Sequence, residues 1–170
     1  MHPPIHDPDA LTDIALNLLE SQDKGFWMLV KGQSMLPIIQ DGDRLQVQPL
    51  QDPPVRGEVL VFRRTNGLVA HRLLRLSQDS RGKRTCLTQG DHTLSPDPPI
   101  SIDQVLGHAS LLHRGPKVLH LDTPAWGRVG NVISVLQLAF PPAEKNAWVR
   151  RGFTACLDFS LRVYLAITGQ

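Results

Sequence analysis

The sequence predicts a mainly β fold, in which a bent β-sheet body lies between one helix at its N-terminus and helices at its C-terminus. Fourteen prolines and thirteen glycines in 170 residues indicate many turns and therefore short elements. Between Phe26 and Asp122, short apolar and β-branched runs alternate with Pro, Gly and Asp, as strands and turns do. Helical spacing of apolar residues occurs only outside this stretch.

The length and composition predict one domain over residues 1–170, because 41% hydrophobic residues suffice for one core. We divide it into an N-terminal helix at residues 1–25, a β body at residues 26–122 and a helical C-terminal extension at residues 123–170. The N-terminal helix follows Asp9 as a candidate N-cap and ends before Gly25. Its apolar residues at helical spacing are Leu11, Ile14, Ala15, Leu18 and Leu19.

Seven strands are predicted in the β body. Their sequences are "FWMLV", "RLQVQ", "EVLVF", "LVAHRLL", "TCLTQ", "QVLGHASLL" and "KVLHL". In the extension, one apolar helix face contains Trp126, Val129, Ile133, Leu136 and Phe140, and Pro141 and Pro142 interrupt it. A second amphipathic stretch contains Val149, Phe153, Leu157, Leu161 and Tyr164 together with three arginines, a composition that favours either peripheral membrane contact or packing against protein.

Composition argues against several classes of protein. A net charge of +2 is too small to indicate nucleic-acid binding, and two distant cysteines form neither a disulfide framework nor a metal motif. We expect no metal and no cofactor. No run reaches the roughly 18 apolar residues of a membrane span, and the first residues do not resemble a secretory signal. The expected location is therefore cytoplasmic, with contact at the membrane periphery; the oligomeric state is left open.

The segment "VKGQSMLPIIQDGDRL" contains the candidate nucleophile, Ser34. A serine hydroxyl attacks only when a base takes its proton and fixed donors stabilise the oxyanion. A glycine and a serine before a proline are also ordinary turn residues, so the segment alone does not establish chemistry.

His71 is the candidate base. It lies on the strand that returns from the hairpin turn Asn66-Gly67, and strict alternation puts it on one face with Val69 and Leu73. A partly buried neutral imidazole suits a general base, although a buried histidine can also be purely structural.

Two aspartates in "TCLTQGDHTLSPDPP" are candidates for the group that orients His71. Asp91 and Asp97 both lie in a proline-rich loop, and spacing alone does not choose between them. Either could instead cap its own turn.

Five segments in order resemble the signal peptidase I superfamily of serine endopeptidases. They are "GQSMLP", "GDRLQV", "GEVLVF", "AHRLL" and "LTQGDHTLSPD", and the similarity extends from about Val30 to Gly107, where "DQVLGHA" resembles a further strand. The resemblance implies a signal peptidase/LexA-like fold. His71-Arg72 is similar to the branch of endoplasmic-reticulum, archaeal and sporulation enzymes, which use a histidine base, but the membrane anchor of that branch is not visible here.

Carried over to this chain, the resemblance implies that Ser34 is the nucleophile, His71 the base and Asp97 its acidic partner. Supporting roles fall to Asp91 as a loop-shaping residue, to Arg72 beside the base, and to the nucleophile turn, which contains Met35, Pro37, Gly42 and Asp43. The backbone amide of Ser34 would contribute to the oxyanion hole. Gln89 and His92 depart from the family pattern, which has Lys and Asn around this Gly-Asp pair.

The expected activity is that of a serine-type endopeptidase that cleaves an extended peptide, leader or precursor protein after small residues. One alternative is a peptide-binding module of the same fold without catalysis. A second is a LexA-type self-cleaving regulator, which is disfavoured because such proteins use a lysine base and cut an Ala-Gly or Cys-Gly bond before the serine, and neither dipeptide precedes Ser34 here.

Overall fold

The computed structural model describes residues 25–65 and 67–139, and these form one antiparallel sheet and one α-helix. The strands are β1 (Phe26–Leu29), β2 (Arg44–Gln48), β3 (Val59–Arg64), β4 (Gly67–Gln78), β5 (Arg84–Gln89), β6 (Ile100–Ser101), β7 (Val105–Arg114) and β8 (Lys117–His120). A 3-10 turn (Ile102–Gln104) precedes β7, and α1 (Pro124–Ala139) follows β8. The N-terminal helix predicted before Gly25 and the extension beyond Ala139 lie outside the described residues.

The mainly β prediction is confirmed, and all seven predicted strands are present. The sheet order is β1-β2-β7-β3-β4-β5-β6, with β8 paired to the end of β7. The one described strand that was not predicted is β6. It has only two residues and depends on pairing with Thr85 and Cys86 of β5. Its formation is therefore a consequence of tertiary structure.

The hairpin of β3 and β4 positions the candidate base. Arg64 pairs with Gly67 and Leu60 pairs with His71, so the tight turn begins one residue earlier than predicted and Gly67 already belongs to β4. His71 is the fifth residue of β4, so its backbone is held inside the sheet by pairing with β3 and not at the end of a turn.

Strict alternation fails in the middle of β4, where His71, Arg72, Leu73 and Leu74 are all buried. The reason is that α1 packs over the second face of this strand. The Ser134 hydroxyl of α1 donates a hydrogen bond to the carbonyl of Leu73 at 3.0 Å. Both faces of β4 are therefore covered near the candidate site.

Two hydrophobic clusters hold the strands in place. The first joins the turn after β1 to the helix and contains Met35, Ile38, Ile39, Leu45, Val59, Ala109, Leu112, Leu119, Trp126 and Ile133. The second contains Leu60, Phe62, Leu73, Cys86 and Ile100. Each large apolar side chain that is fully buried contributes about 1.5 to 3 kcal/mol, so the clusters constrain both the nucleophile turn and the base.

The buried face of α1 differs from the predicted apolar stripe. Trp126 and Ile133 are buried as expected, but they share that face with Gly130, Ser134 and Gln137. Val132 and Val135 remain 57% and 41% exposed. Of the polar members, Ser134 bonds to a backbone carbonyl of β4, and Gln137 bonds to a backbone carbonyl of the loop between β5 and β6, residues 90–99, which we call the acidic loop. Within the described part of the chain, no helix has the length and hydropathy needed to cross a membrane.

Candidate active site

Ser34 lies in the turn that leaves β1, and this turn is fixed to the loop after β5. The carbonyl oxygen of Ser34 accepts a hydrogen bond from the backbone N–H of His92 at 2.7 Å. Met35 is buried, and its sulfur accepts a contact from the N–H of Asp91 at 3.4 Å. The Leu36-Pro37 peptide bond that follows is cis. The nucleophile turn and the acidic loop thus form one assembly.

An ion pair closes the other end of the nucleophile turn. Asp43 is almost completely buried and accepts bonds from Arg114 of β7 at 2.8 and 2.7 Å, while Arg114 also donates to the carbonyl of Ile38. The Asp43 carboxylate further accepts from the N–H of Gln40 at 2.7 Å. Gly42 has a φ of 84°, a conformation that strains other residues, which explains a glycine there.

His71 lies between Ser34 and Asp97. Its Nε2 is 3.0 Å from the Ser34 hydroxyl and its Nδ1 is 2.6 Å from a carboxylate oxygen of Asp97. An ionised carboxylate only accepts hydrogen bonds, so Nδ1 carries the proton and Nε2 is left to accept the proton of Ser34. The ring of Phe62 meets the imidazole edge-on at 6.2 Å between centroids.

The two oxygens of Asp97 have different partners. The oxygen that faces His71 also accepts a hydrogen bond from the Thr88 hydroxyl at 2.8 Å, and the other oxygen lies 3.2 Å from the Arg64 guanidinium. The N–H of Asp97 bonds to the carbonyl of Thr88 at 2.8 Å, which anchors the residue to the end of β5. The carboxylate is therefore held from both sides.

Asp97 is ionised at neutral pH. Burial disfavours its charged form, but the hydrogen bond and charge of His71, the Thr88 hydroxyl and the Arg64 charge outweigh burial and hold the pKa of this carboxyl below its ordinary 3.8. A negative charge on Asp97 is the condition for stabilising a positive imidazole on His71.

Asp91 pairs with Arg72 instead of His71. Arg72 donates to the two carboxylate oxygens at 2.7 and 2.6 Å and donates a third bond to the carbonyl of Gly57 at 2.6 Å. Both side chains are buried, at 4% and 0% exposure. This bidentate pair anchors the start of the acidic loop to the helix-covered side of β4.

Gly90 brings the backbone of the acidic loop against Ser34 and His71. A Cβ atom at this position would lie 2.5 Å from the carbonyl oxygen of Ser34 and 3.0 Å from Nε2 of His71, so a larger residue would displace one of them. The carbonyl of Gly90 accepts a bond from the buried side chain of Gln137 at 3.2 Å. Through Gln137, α1 supports the loop from behind.

A cleft of about 490 Å³ opens in front of Ser34. It is bordered by the segment from Met28 to Gly32 and by β4 from Leu68 to His71; the remaining lining residues are Ser34, Met35, Ile39 and Arg64. The edge of β1 away from β2 is unpaired among the described strands, and pairing of β4 with β5 begins only at Arg72. Two free backbone edges therefore line one cleft.

Sequence reasoning did not single out several residues that position this site. They are Arg64, Thr88, Gly90, Arg114 and Gln137. Gly90 was visible in the sequence as half of a Gly-Asp pair, but the other four are ordinary residues at their positions until distant segments meet. Among the described residues, no three His, Cys, Asp or Glu side chains form a group that could hold a metal ion.

Comparison with known proteins supports a serine peptidase-like fold. Residues 4–83 match the family model described as Peptidase S24-like, which falls within the LexA/signal peptidase I superfamily. The match includes Ser34 and His71, ends before Asp91 and Asp97, and suggests protease activity. No curated protein matches the chain.

Proposed function

We propose that this protein is a serine endopeptidase in which Ser34 is the nucleophile, His71 the general base and Asp97 the group that orients the base. The observation that carries the proposal is the unbroken series of contacts from the Ser34 hydroxyl through the imidazole to the Asp97 carboxylate, at 3.0 and 2.6 Å. The Peptidase S24-like match over residues 4–83 adds independent support for a peptidase.

The first half of the reaction forms an ester on Ser34. Nε2 of His71 takes the hydroxyl proton as Ser34 Oγ attacks the peptide carbonyl, and the resulting imidazolium is stabilised by the ionised Asp97. His71 then passes that proton to the amine that leaves. In the second half, water takes the place of the serine hydroxyl and is activated by the same nitrogen.

The oxyanion is assigned to the backbone N–H of Ser34. Among residues 25–65 and 67–139, no acceptor is bonded to this N–H, whereas the carbonyl of the same residue is held by His92. A fixed, unengaged donor beside the attacking oxygen is the requirement for stabilising the tetrahedral intermediate.

The substrate is an extended peptide that adds as a strand in the cleft. The free edges of β1 and β4 offer backbone groups on either side of it, and side chains of alternate residues point into the cleft or away from it. Small residues next to the scissile bond, as in an Ala-x-Ala segment, follow from the resemblance to signal peptidases. Within that superfamily, His71 followed by Arg72 supports assignment to the branch with a histidine base.

The test is incubation of the purified protein and its Ser34→Ala variant with Ala-rich peptides, with new termini identified by mass. We expect cleavage after small residues by the wild type and a loss of at least about 10⁴-fold in the variant, because the nucleophile is absent. Equal cleavage by both proteins, or by neither, would refute the proposal.

The same samples test the two alternatives. A peptide-binding module would bind the peptides with equal affinity in both proteins and would release no product. A self-cleaving regulator would show new fragments of its own chain in the intact mass spectrum, and these fragments would be missing from Ser34→Ala. A cytoplasmic location, the lack of nucleic-acid partners and membrane contact beyond Ala139 remain predictions.

A further inference from the structure

The charge of the cleft favours one class of substrate. Two cationic side chains, Lys31 and Arg64, line it, and no carboxylate is among its lining residues. A cleft that is lined by charges of one sign and has low-dielectric walls concentrates ligands of the opposite charge. The apolar lining from Met28, Val69 and Ala70 makes such walls.

The guanidinium of Arg64 is held in place by its neighbours, yet some of its N–H donors can still bind a further carboxylate. Its guanidinium lies 5.6 Å above the ring of Phe62 and 3.2 Å from one oxygen of Asp97, and its side chain is 36% exposed. A guanidinium has five N–H donors in a planar fork, and one carboxylate oxygen at this distance does not occupy them all. Because the side chain is already ordered, it loses little freedom when a second carboxylate binds.

Lys31 adds a second charge on the opposite border of the cleft. It lies two residues after the end of β1 and three residues before Ser34, and it is exposed. The nearby acid Asp41 is engaged by the N–H of Gly32 at 2.7 Å. Arg44, the other cation of this region, stacks on Trp27 at 5.2 Å and does not line the cleft.

We propose that Arg64, assisted by Lys31, is a specificity-determining residue that binds a side-chain carboxylate of the substrate within a few residues of the scissile bond. The preferred substrate is thus a peptide in which an Asp or Glu accompanies the small residues. This inference rests on the proposed function for its cleavage step, but the charge preference itself also applies to binding alone.

The experiment uses one Ala-rich peptide, acetylated and amidated at its ends so that side chains are the only carboxylates. A single Glu, Gln or Lys is placed in turn at each position around the cleavage point, and kcat/KM is measured. At one or two positions we expect the Glu peptide to exceed the Gln peptide by about 10- to 100-fold, the range for a charge-assisted hydrogen bond. The Lys peptide should be the poorest.

Two variants of Arg64 and one control variant test whether the preference for Glu over Gln depends on Arg64. In Arg64→Gln the Glu-to-Gln ratio should fall towards 1, and in Arg64→Glu the order should reverse in favour of Lys. Arg75→Gln removes an exposed arginine of β4 outside the cleft and should leave the ratio unchanged. Because each ratio is taken within one variant, a general loss of activity does not affect it.

Affinities of the Ser34→Ala protein for the same peptides, measured by fluorescence anisotropy, separate this inference from the proposed function. If Glu peptides bind more tightly through Arg64 but no protein cleaves them, the charge preference stands and the peptidase proposal falls. If cleavage depends on Ser34 but neither rates nor affinities distinguish Glu from Gln, the peptidase proposal stands and this inference is overturned.

Discussion

His71 and Arg72 are consecutive residues of β4, and each binds one aspartate of the same loop, yet the two pairs differ in the number of bonds, in exposure and in their neighbours. The Arg72–Asp91 pair is bidentate, with side chains at 4% and 0% exposure beneath α1. The His71–Asp97 pair has one bond of 2.6 Å, side chains at 10% and 12% exposure, and Ser34 as a further neighbour.

One loop thus serves two purposes. Adjacent residues of a strand point to opposite faces, so β4 sends its arginine towards the helix and its histidine towards the cleft. The arginine anchors the loop at Asp91, and six residues later the loop delivers Asp97 to the histidine. We infer that the first pair provides stability and the second provides chemistry.

The largest predicted effect follows from removing the charge of Asp97. Asp97→Asn should lower kcat/KM by about 10³- to 10⁴-fold, because an amide can no longer favour the correct tautomer or stabilise the imidazolium. Peptide cleavage measured at equal concentrations of folded protein checks this. If Asp91→Asn had the larger effect under those conditions, the assignment of roles would be reversed.

The next effect is on stability and concerns the other pair. Asp91→Asn leaves the buried Arg72 guanidinium without a counter-charge, which should reduce the free energy of unfolding by about 3 to 5 kcal/mol. Urea unfolding measures this. As a control, Arg72→Met combined with Asp91→Leu removes both charges and should recover most of the loss, whereas a double variant as unstable as Asp91→Asn would contradict the explanation.

The smallest effect is the pH dependence contributed by Asp97. Its pKa is lowered in the folded protein, so its contribution to stability is present above the ordinary value of 3.8 and is lost as the pH falls through the lower folded pKa. The unfolding free energies of wild type and Asp97→Asn should therefore differ most near neutral pH and converge in strong acid. A gap that is constant from pH 6 to pH 2 would be inconsistent with an ionised Asp97.

Much of the fold was predictable because strands and turns leave local signals. The runs around Val61 and Val69 and the turn near Gly67 are examples, since apolar alternation and turn residues depend on neighbours in the sequence. The two-residue β6 and the polar buried face of α1 had no such signal. They form because Cys86 and Gly90, distant in sequence, offer backbone partners.

The candidate site was predictable only in part for the same reason. Ser34 and His71 stood out by their motifs, and the choice of Asp97 over Asp91 came from resemblance, since both aspartates lie in one irregular loop. The residues that hold the candidate site in place left no signal in the sequence. Arg114 reaches Asp43 from 71 residues away, and nothing near either residue indicates that contact.

Trapping the ester on Ser34 tests the proposed peptidase mechanism at its first chemical step. An acyl-peptide with an activated ester at the scissile position acylates a serine faster than water releases it, so acid quenching should preserve the intermediate for intact mass measurement. We predict an adduct of one acyl group that maps to the fragment containing Ser34 and is absent from Ser34→Ala and strongly reduced in His71→Ala. An adduct on another residue, or equal turnover of the ester by Ser34→Ala, would contradict the assignment of Ser34 as the nucleophile.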